Sequence, residues 1–591
     1  MSDNYSGVRV PRYSLLFFVF IVSPFAWAEN VRLHVKGLSG ELEQNVRARL
    51  STVNTDLTIN TDGVIADEGF YRRLDEALRQ GLRALGYYDP TIDFEFKAKR
   101  SPGHSLLIVN VKQGVPVRIA GSDIVLKGEA RQDSEYQMLL KKSRPKSGSI
   151  LNHGHFSDFK ASLLSLALRR GYFDAKMVKS QLAVAPQLHQ AFWKMEFDSG
   201  QHYRFGNVLF QGSQIREDSL QNLVPFRQGE DYSAEKVGEL NRRLASTGWF
   251  NSAVVSPNFR GAKKSGILPM DAVVTPRTRN TVELGGGYSS DVGVRFKTSW
   301  KKPWMNASGH SLTASADLSA PEQSLDVGYK IPLLRNSLEH YYLLQGGLKR
   351  SNLNDIASDT TMLSAARYWR LPGGWQSAIN LHWSLDHYTQ ADVTATTMLL
   401  YPGVSINRTR QQGGMMPVWG DSQQYSVDVS SALWGSGTDF IRLQIQHVWI
   451  RTVAERHRFV LRGQIGWIEG DNFDRIPPSL RFFAGGDRSI RGYKYASLSP
   501  KDSEGKITGA SKMLTGSLEY QYNVTDKWWG ALFWDGGEAV NDIRQNDFKT
   551  GAGIGIRWAS PAGAVKFDIA APINSVNASR LEFYIGLGAE L

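Results

Sequence analysis

One phrase, repeated three times before residue 252, limits what this chain can fold into. A helix-patterned run ends in glycine, two aromatics follow, then Asp or Asn, then a strand. The copies are Gly86-Tyr87-Tyr88-Asp89, Gly171-Tyr172-Phe173-Asp174 and Gly248-Trp249-Phe250-Asn251, with their glycines 85 and 77 residues apart. A period of that length is one small domain, so the first half is an array of modules. Each module reads strand, helices, strand, strand. The helical stripes are Phe70, Leu74, Leu78, Leu82 and Leu85, then Phe156, Phe159, Leu163 and Leu166, then Val237, Leu240 and Leu244. The glycine ends each helix as a left-handed cap, and the aromatic pair is expected to pack the helix end onto the sheet.

The N-terminus carries Arg9 and Arg12, an apolar run over 15–22, and Ala26-Trp27-Ala28. That order is expected of a secretory signal peptide cut after Ala28. The apolar run is shorter than the ~20 residues of a spanning helix, which argues against an anchor. There is no cysteine, so exported modules would have to be stable without disulfides. Sixty-nine Lys+Arg against 57 Asp+Glu leave a formal charge of +12. The basic residues are scattered and export removes the chain from nucleic acid, so the charge reads as weak affinity for anionic outer-membrane lipid.

The modules fall at 29–114, 115–201 and 202–276. Their pattern resembles the POTRA (polypeptide-transport-associated) domain, a βααββ unit of the periplasmic parts of outer-membrane assembly factors. The resemblance implies a docking or chaperoning role, since each small sheet has a free edge for an extended client strand.

Over 277–591 the helical stripes vanish. Segments of about 10 residues alternate apolar and polar between Gly, Asn, Asp and Pro, as in a transmembrane β-barrel. Leu581, Phe583 and Ile585 would face lipid, with Glu582, Tyr584 and Gly586 facing the lumen. One strand earlier Val565, Phe567 and Ile569 alternate with Lys566 and Asp568, and before that Ile554, Ile556 and Trp558 alternate with Gly555 and Arg557. Thirteen of the 16 tryptophans lie beyond residue 299, where an aromatic girdle is expected. A soluble sandwich would explain the alternation but not an aromatic outward face. Turn signals give about 16 antiparallel strands, with borders between 336 and 419 left open.

A long segment, 471–510, separates two of these strands and carries Phe482-Phe483-Ala484-Gly485-Gly486 and Ile490-Arg491-Gly492-Tyr493. Loops of that length are usually functional or disordered. The second motif resembles the loop tip of the outer-membrane assembly and two-partner secretion superfamily, which folds back into the barrel. Alternation turns Glu519 and Asp535 inward. The resemblance implies that these two acids hold Arg491, so that Arg491, Gly492, Tyr493, Glu519 and Asp535 form a latch. A planar guanidinium can serve two carboxylates at once. Gly285, Gly286 and Gly287 in the first strand, with Gly586 and Gly588 in the last, weaken pairing at the seam. They make either a lateral gate or room for the inner loop.

No nucleophile elbow, phosphate loop or His-Glu-x-x-His is present, so no enzyme and no cofactor are expected. His153-Gly154-His155 lacks a third metal ligand. Three modules and 16 strands resemble most the TamA family, the outer-membrane subunits of the translocation and assembly module. That resemblance implies a cell outer membrane location with the modules in the periplasm, and insertion or secretion of unfolded outer-membrane proteins such as autotransporters. It also implies an inner-membrane-anchored TamB-like partner docking on the modules. The alternatives are a passive pore, a two-partner-secretion-type transporter, or a lipid-transport conduit with the same partner.

Overall fold

The computed structural model describes residues 28–30, 32–53, 56–58, 68–97, 106–262, 266–289, 293–414, 416–545, 547–560, 563–573 and 581–588. Ala26 lies outside them, and Ala28 opens a short strand, Ala28–Asn30, paired with Asp56–Thr58. The chain divides into two compact units, one built on the first two modules and the other on the third module with the barrel.

In the first unit, the first module sets Gly40–Leu50 and Glu68–Arg83 on a three-stranded sheet of Arg32–Lys36, Thr91–Lys97 and Leu106–Lys112. The last of these strands is central, parallel to the first and antiparallel to the second. Phe70, Leu74, Leu78 and Leu82 recur one turn apart, so all four meet Leu107 and Val109 in one core. The second module repeats the order with Arg118–Lys127, Ser134–Ser143, His153–Arg170, Lys176–Ala185 and Gln190–Asp198. Phe159, Leu163 and Leu166 pack there on Trp193, Met195 and Phe197. Gly171 stops its helix at φ 82°, a region where a side chain would be strained.

The aromatic pairs do more than the core role expected of them. Tyr172 enters its module's core and donates to buried Asp133 at 3.1 Å. Tyr88 instead reaches forward to His153, with Oη and Nε2 2.7 Å apart, and packs on the second module's core. Phe173 lies edge-on to Tyr203 and Tyr232.

The second unit contains the third module, with Glu217–Gln221 and Ala234–Ser246 on strands Arg204–Gln211, Phe250–Pro257 and Ile267–Pro276. Its Trp249 indole donates to the Gly309 carbonyl at 2.9 Å, in the turn between the second and third barrel strands. In every copy, then, one ring turns to the segment that follows. The barrel is 16 antiparallel strands, each paired with the next, from Thr281–Ser289 to Glu582–Gly588. Leu284, Leu325, Leu363, Leu461, Leu518, Trp534 and Ile556 stand exposed on its outside. An apolar band of that extent belongs in lipid. No helix among the described residues is long and apolar enough to cross a membrane, and the strands do the crossing.

The borders left open by the sequence fall at Tyr341–Leu353, Ile356–Leu371, Trp375–Gln390, Val393–Gln412 and Trp419–Ser430. Two of the intervening turns pass through Asn354 and Ala391 at φ 54° and 52°. Asn354 suits its left-handed turn, but Ala391 is a residue that gives no turn signal to read.

Candidate functional site

The site is built by the loop between the eleventh strand, His457–Gly470, and the twelfth, Lys512–Thr525. The loop carries its own core. Ile476, Phe482, Ala484, Ile490 and Ala510 are buried together against Leu399, Tyr401 and Phe440 of the wall. Arg481 is buried among them and donates to the carbonyls of Ile476 at 2.8 Å, Thr508 at 2.6 Å and Asp474 at 3.0 Å. Three carbonyls and the Phe473 ring beneath it compensate its desolvation. Tyr388 and Asp386 of the seventh strand hold the loop from outside, through the Asp474 carbonyl at 2.7 Å and the Ser479 hydroxyl at 3.2 Å.

That frame presents Arg491 to the wall at 1% exposure. Its Nε and Nη2 donate to the two oxygens of Asp535 at 2.7 and 3.0 Å, and its backbone N–H reaches the same carboxylate at 3.0 Å. Nη1 donates to Glu519 at 2.7 Å and to Asp568 at 3.1 Å. Nη2 also meets the Ser517 hydroxyl at 3.2 Å. The guanidinium lies 3.4 Å over the Phe533 ring. Asp535 and Ser517 face each other in register on the thirteenth and twelfth strands, with Glu519 two residues along the same face.

A second guanidinium completes the cluster. Arg557, also 1% exposed, donates to Glu519 at 2.7 Å and to Asp568 at 2.5 Å. Arg462 stands 3.5 Å from Glu519. Three carboxylates thus face three guanidinia, and the arrangement is formally neutral. A buried cluster of this kind adds modestly to stability while intact but is costly to break, because the group left behind keeps its charge without a partner.

The tip also needs space. Gly492 has φ 96°, and a Cβ on it would lie 2.7 Å from the Ala571 carbonyl carbon. A Cβ on Gly551 would overlap the Arg491 carbonyl oxygen, and one on Gly555 would overlap Asp568 and Arg557. The Gly551-x-Gly553-x-Gly555 run is therefore the floor under the loop tip.

Of the residues the sequence singles out, the structure brings Arg491, Gly492, Glu519 and Asp535 together. The Tyr493 ring turns from the carboxylates into the loop core, with its hydroxyl 3.4 Å from the Thr550 carbonyl. The sequence motifs do not join Asp568, Arg557 and Ser517 to the latch. Alternation does turn Asp568 and Arg557 inward, and a census of all inward charges on the last five strands is the signal that finds them.

Gly285, Gly286 and Gly287 lie in the first strand, with Gly586 and Gly588 in the last. Every other neighbouring pair of barrel strands shares a ladder, but among the described residues none joins first to last. Cβ atoms at 285–287 would meet nothing closer than 3.9 Å, whereas one at Gly586 would press on the Lys566 side chain. Room for neighbours is thus what Gly586 supplies, and Gly285–287 leave bare backbone at the seam.

Comparison with known proteins follows the same division. The Omp85 superfamily domain model matches residues 278–590. A model of the first POTRA domain of TamA matches 32–113, and a POTRA model described as a surface antigen variable number repeat matches 203–284. The chain is 24% identical over 405 residues to the outer membrane protein assembly factor BamA of Nitratidesulfovibrio vulgaris, across 64% of this chain and 50% of that one. It is 22% identical over 540 residues to BamA of Neorickettsia risticii, across 84% and 69%. It thus spans about half the length of the first of these relatives. A crystal structure of BamA from Haemophilus ducreyi lacking POTRA domains 1–3 superposes with a TM-score of 0.68 at 15% identity, covering 80% of this chain and 99% of that one. At that identity the likeness is one of fold.

Proposed function

The chain belongs to the Omp85 superfamily, and we propose that it inserts or translocates outer-membrane proteins by strand addition at the seam of its barrel. It sits in the outer membrane with its POTRA domains in the periplasm. An unfolded client arrives along the modules, whose edge strands Thr91–Lys97, Lys176–Ala185 and Phe250–Pro257 offer unpaired backbone. The observation that carries the reading is the seam itself. Its first strand ends the sheet with glycines that put no side chain in the way of a new strand.

Short crosslinkers between cysteines replacing Gly285 and Gly586 test this directly, in a chain with no other cysteine. Both positions face the lumen. Client assembly in reconstituted vesicles is expected to stop when the seam is closed and to return when a cleavable linker is cut. Under the rival reading, a passive pore, the same crosslink would leave solute passage and assembly alike unaffected.

We place the chain nearer to TamA than to BamA in its working arrangement. The match of 32–113 to the first TamA POTRA domain supports this. On this reading an inner-membrane-anchored, TamB-like partner docks on the first module and autotransporters are among the clients. Photo-crosslinkers along Thr91–Lys97 of the full chain should capture such a partner in cells, and failure to do so from any position on that strand would count against it.

A further inference from the structure

The loop tip is held by more than charge. The Tyr584 hydroxyl, on the last strand, accepts from the Gly492 N–H at 2.9 Å and donates to the Tyr493 carbonyl at 2.7 Å. One phenol thus serves both a donor and an acceptor on adjoining residues of the tip. Its ring is 2% exposed and packs with Phe533 and Ala570. A second contact acts one strand away. Lys566, the register partner of Gly586, reaches Asp487 of the loop at 2.5 Å.

These contacts matter because of where the strand lies. Glu582–Gly588 is seven residues long, and among the described residues it shares a ladder with the fifteenth strand alone. A strand with one sheet neighbour detaches more easily than one paired on both sides. Tyr584 gives it an attachment that does not depend on the sheet.

We propose that Tyr584 is the tether that keeps the last strand in the wall, so that loop docking and seam closure are one equilibrium. This rests on the reading that the seam opens. When the tip withdraws, Tyr584 loses its bonds to Gly492 and Tyr493, and the last strand is left to its ladder with the fifteenth. When an incoming strand displaces the last strand, the Gly492 N–H and Tyr493 carbonyl lose their shared partner and the tip loosens. The coupling is reciprocal, as linkage requires. Tyr584 is therefore a positioning residue. It acts on the seam through the loop and need not touch a client.

Tyr584→Phe keeps the ring packed and removes only the hydroxyl. Hydrogen exchange read by mass spectrometry, on the full chain in vesicles of outer-membrane phospholipid, should show the last strand and the loop tip exchanging faster together. An acceleration of about tenfold is expected from losing hydrogen bonds on buried groups. Strands from Ser311–Ser319 to Tyr341–Leu353 should exchange as in the parent, which a general weakening of the barrel would not allow. Arg491→Ala should also speed exchange in the last strand, although the Arg491 side chain bonds to the twelfth, thirteenth and fifteenth strands. If Tyr584→Phe loosens the tip alone, or Arg491→Ala leaves the last strand as protected as before, the tether is refuted and the assembly reading stands. If exchange is coupled but clients still assemble through a crosslinked seam, the assembly reading is refuted and the tether stands.

Discussion

Arg491 reaches acids on three different strands, and no single carboxylate is its partner. Alternation along each strand makes Glu519, Asp535 and Asp568 inward-facing, and the Ile490-Arg491-Gly492-Tyr493 tip marks the residue they await. What alternation does not supply is height along the barrel axis, which depends on the tilt and stagger of the strands. Asp568 and Arg557 are remote from Glu519 in sequence. The register of Gly553 with Phe533 and of Gly555 with Asp568 brings them level. Arg557 is on the wall, not on the loop, yet Arg557→Ala should free the loop nearly as much as Arg491→Ala. Each leaves a buried carboxylate short of a cation, at about 3–5 kcal/mol, read as loss of protease resistance in 471–510. Space makes a separate prediction. Gly551→Ala removes no charge but should displace the tip and expose the loop to protease, because its Cβ would overlap the Arg491 carbonyl. Gly287→Ala, with nothing within 4 Å of its Cβ, should change barrel stability by no more than about 0.5 kcal/mol.

Element by element, the modules were more legible than the barrel. A helix stripe ending in glycine announces both the element and its end, and the buried faces follow from it. Barrel strands announce a face but not always an end. The eighth strand, Val393–Gln412, runs for 20 residues, beyond the span of a membrane strand, and begins after a turn through Ala391 at φ 52°. Alanine there is strained by about 1–2 kcal/mol. Ala391→Gly should recover part of that, raising the temperature at which the barrel loses its heat-modifiable gel mobility. In the second module the Asp133 carboxyl is buried, which opposes its charge. The Glu135 amide, the Arg170 guanidinium and the Tyr172 hydroxyl outweigh that and hold it below the ordinary value of 3.8. A lowered value means that the stabilisation is present above the ordinary value and is lost as pH falls through the folded one. Exchange protection over Ser134–Ser143 should therefore drop as pH falls below about 3.8. Asp133→Asn should cost about 2 kcal/mol at neutral pH and flatten that dependence.

At the scale of the molecule, a folded loop enters the barrel and is fastened by a charge cluster on strands twelve to fifteen and by Tyr584 on strand sixteen. The clasp and the unladdered seam therefore lie on the same side of the sheet. Sequence supplied the two halves, the loop tip and the weak edge strands, but not their joining, which depends on the register of strands twelve to sixteen. Clients, on this account, enter at the seam and nowhere else on the wall. Photo-crosslinkers at Leu284, on the first strand and 81% exposed, and at Leu363, on the sixth and 55% exposed, ask this from two lipid-facing positions. A stalled client strand should be captured at Leu284 and not at Leu363. Equal capture at both positions, or capture at Leu363 alone, would contradict the account.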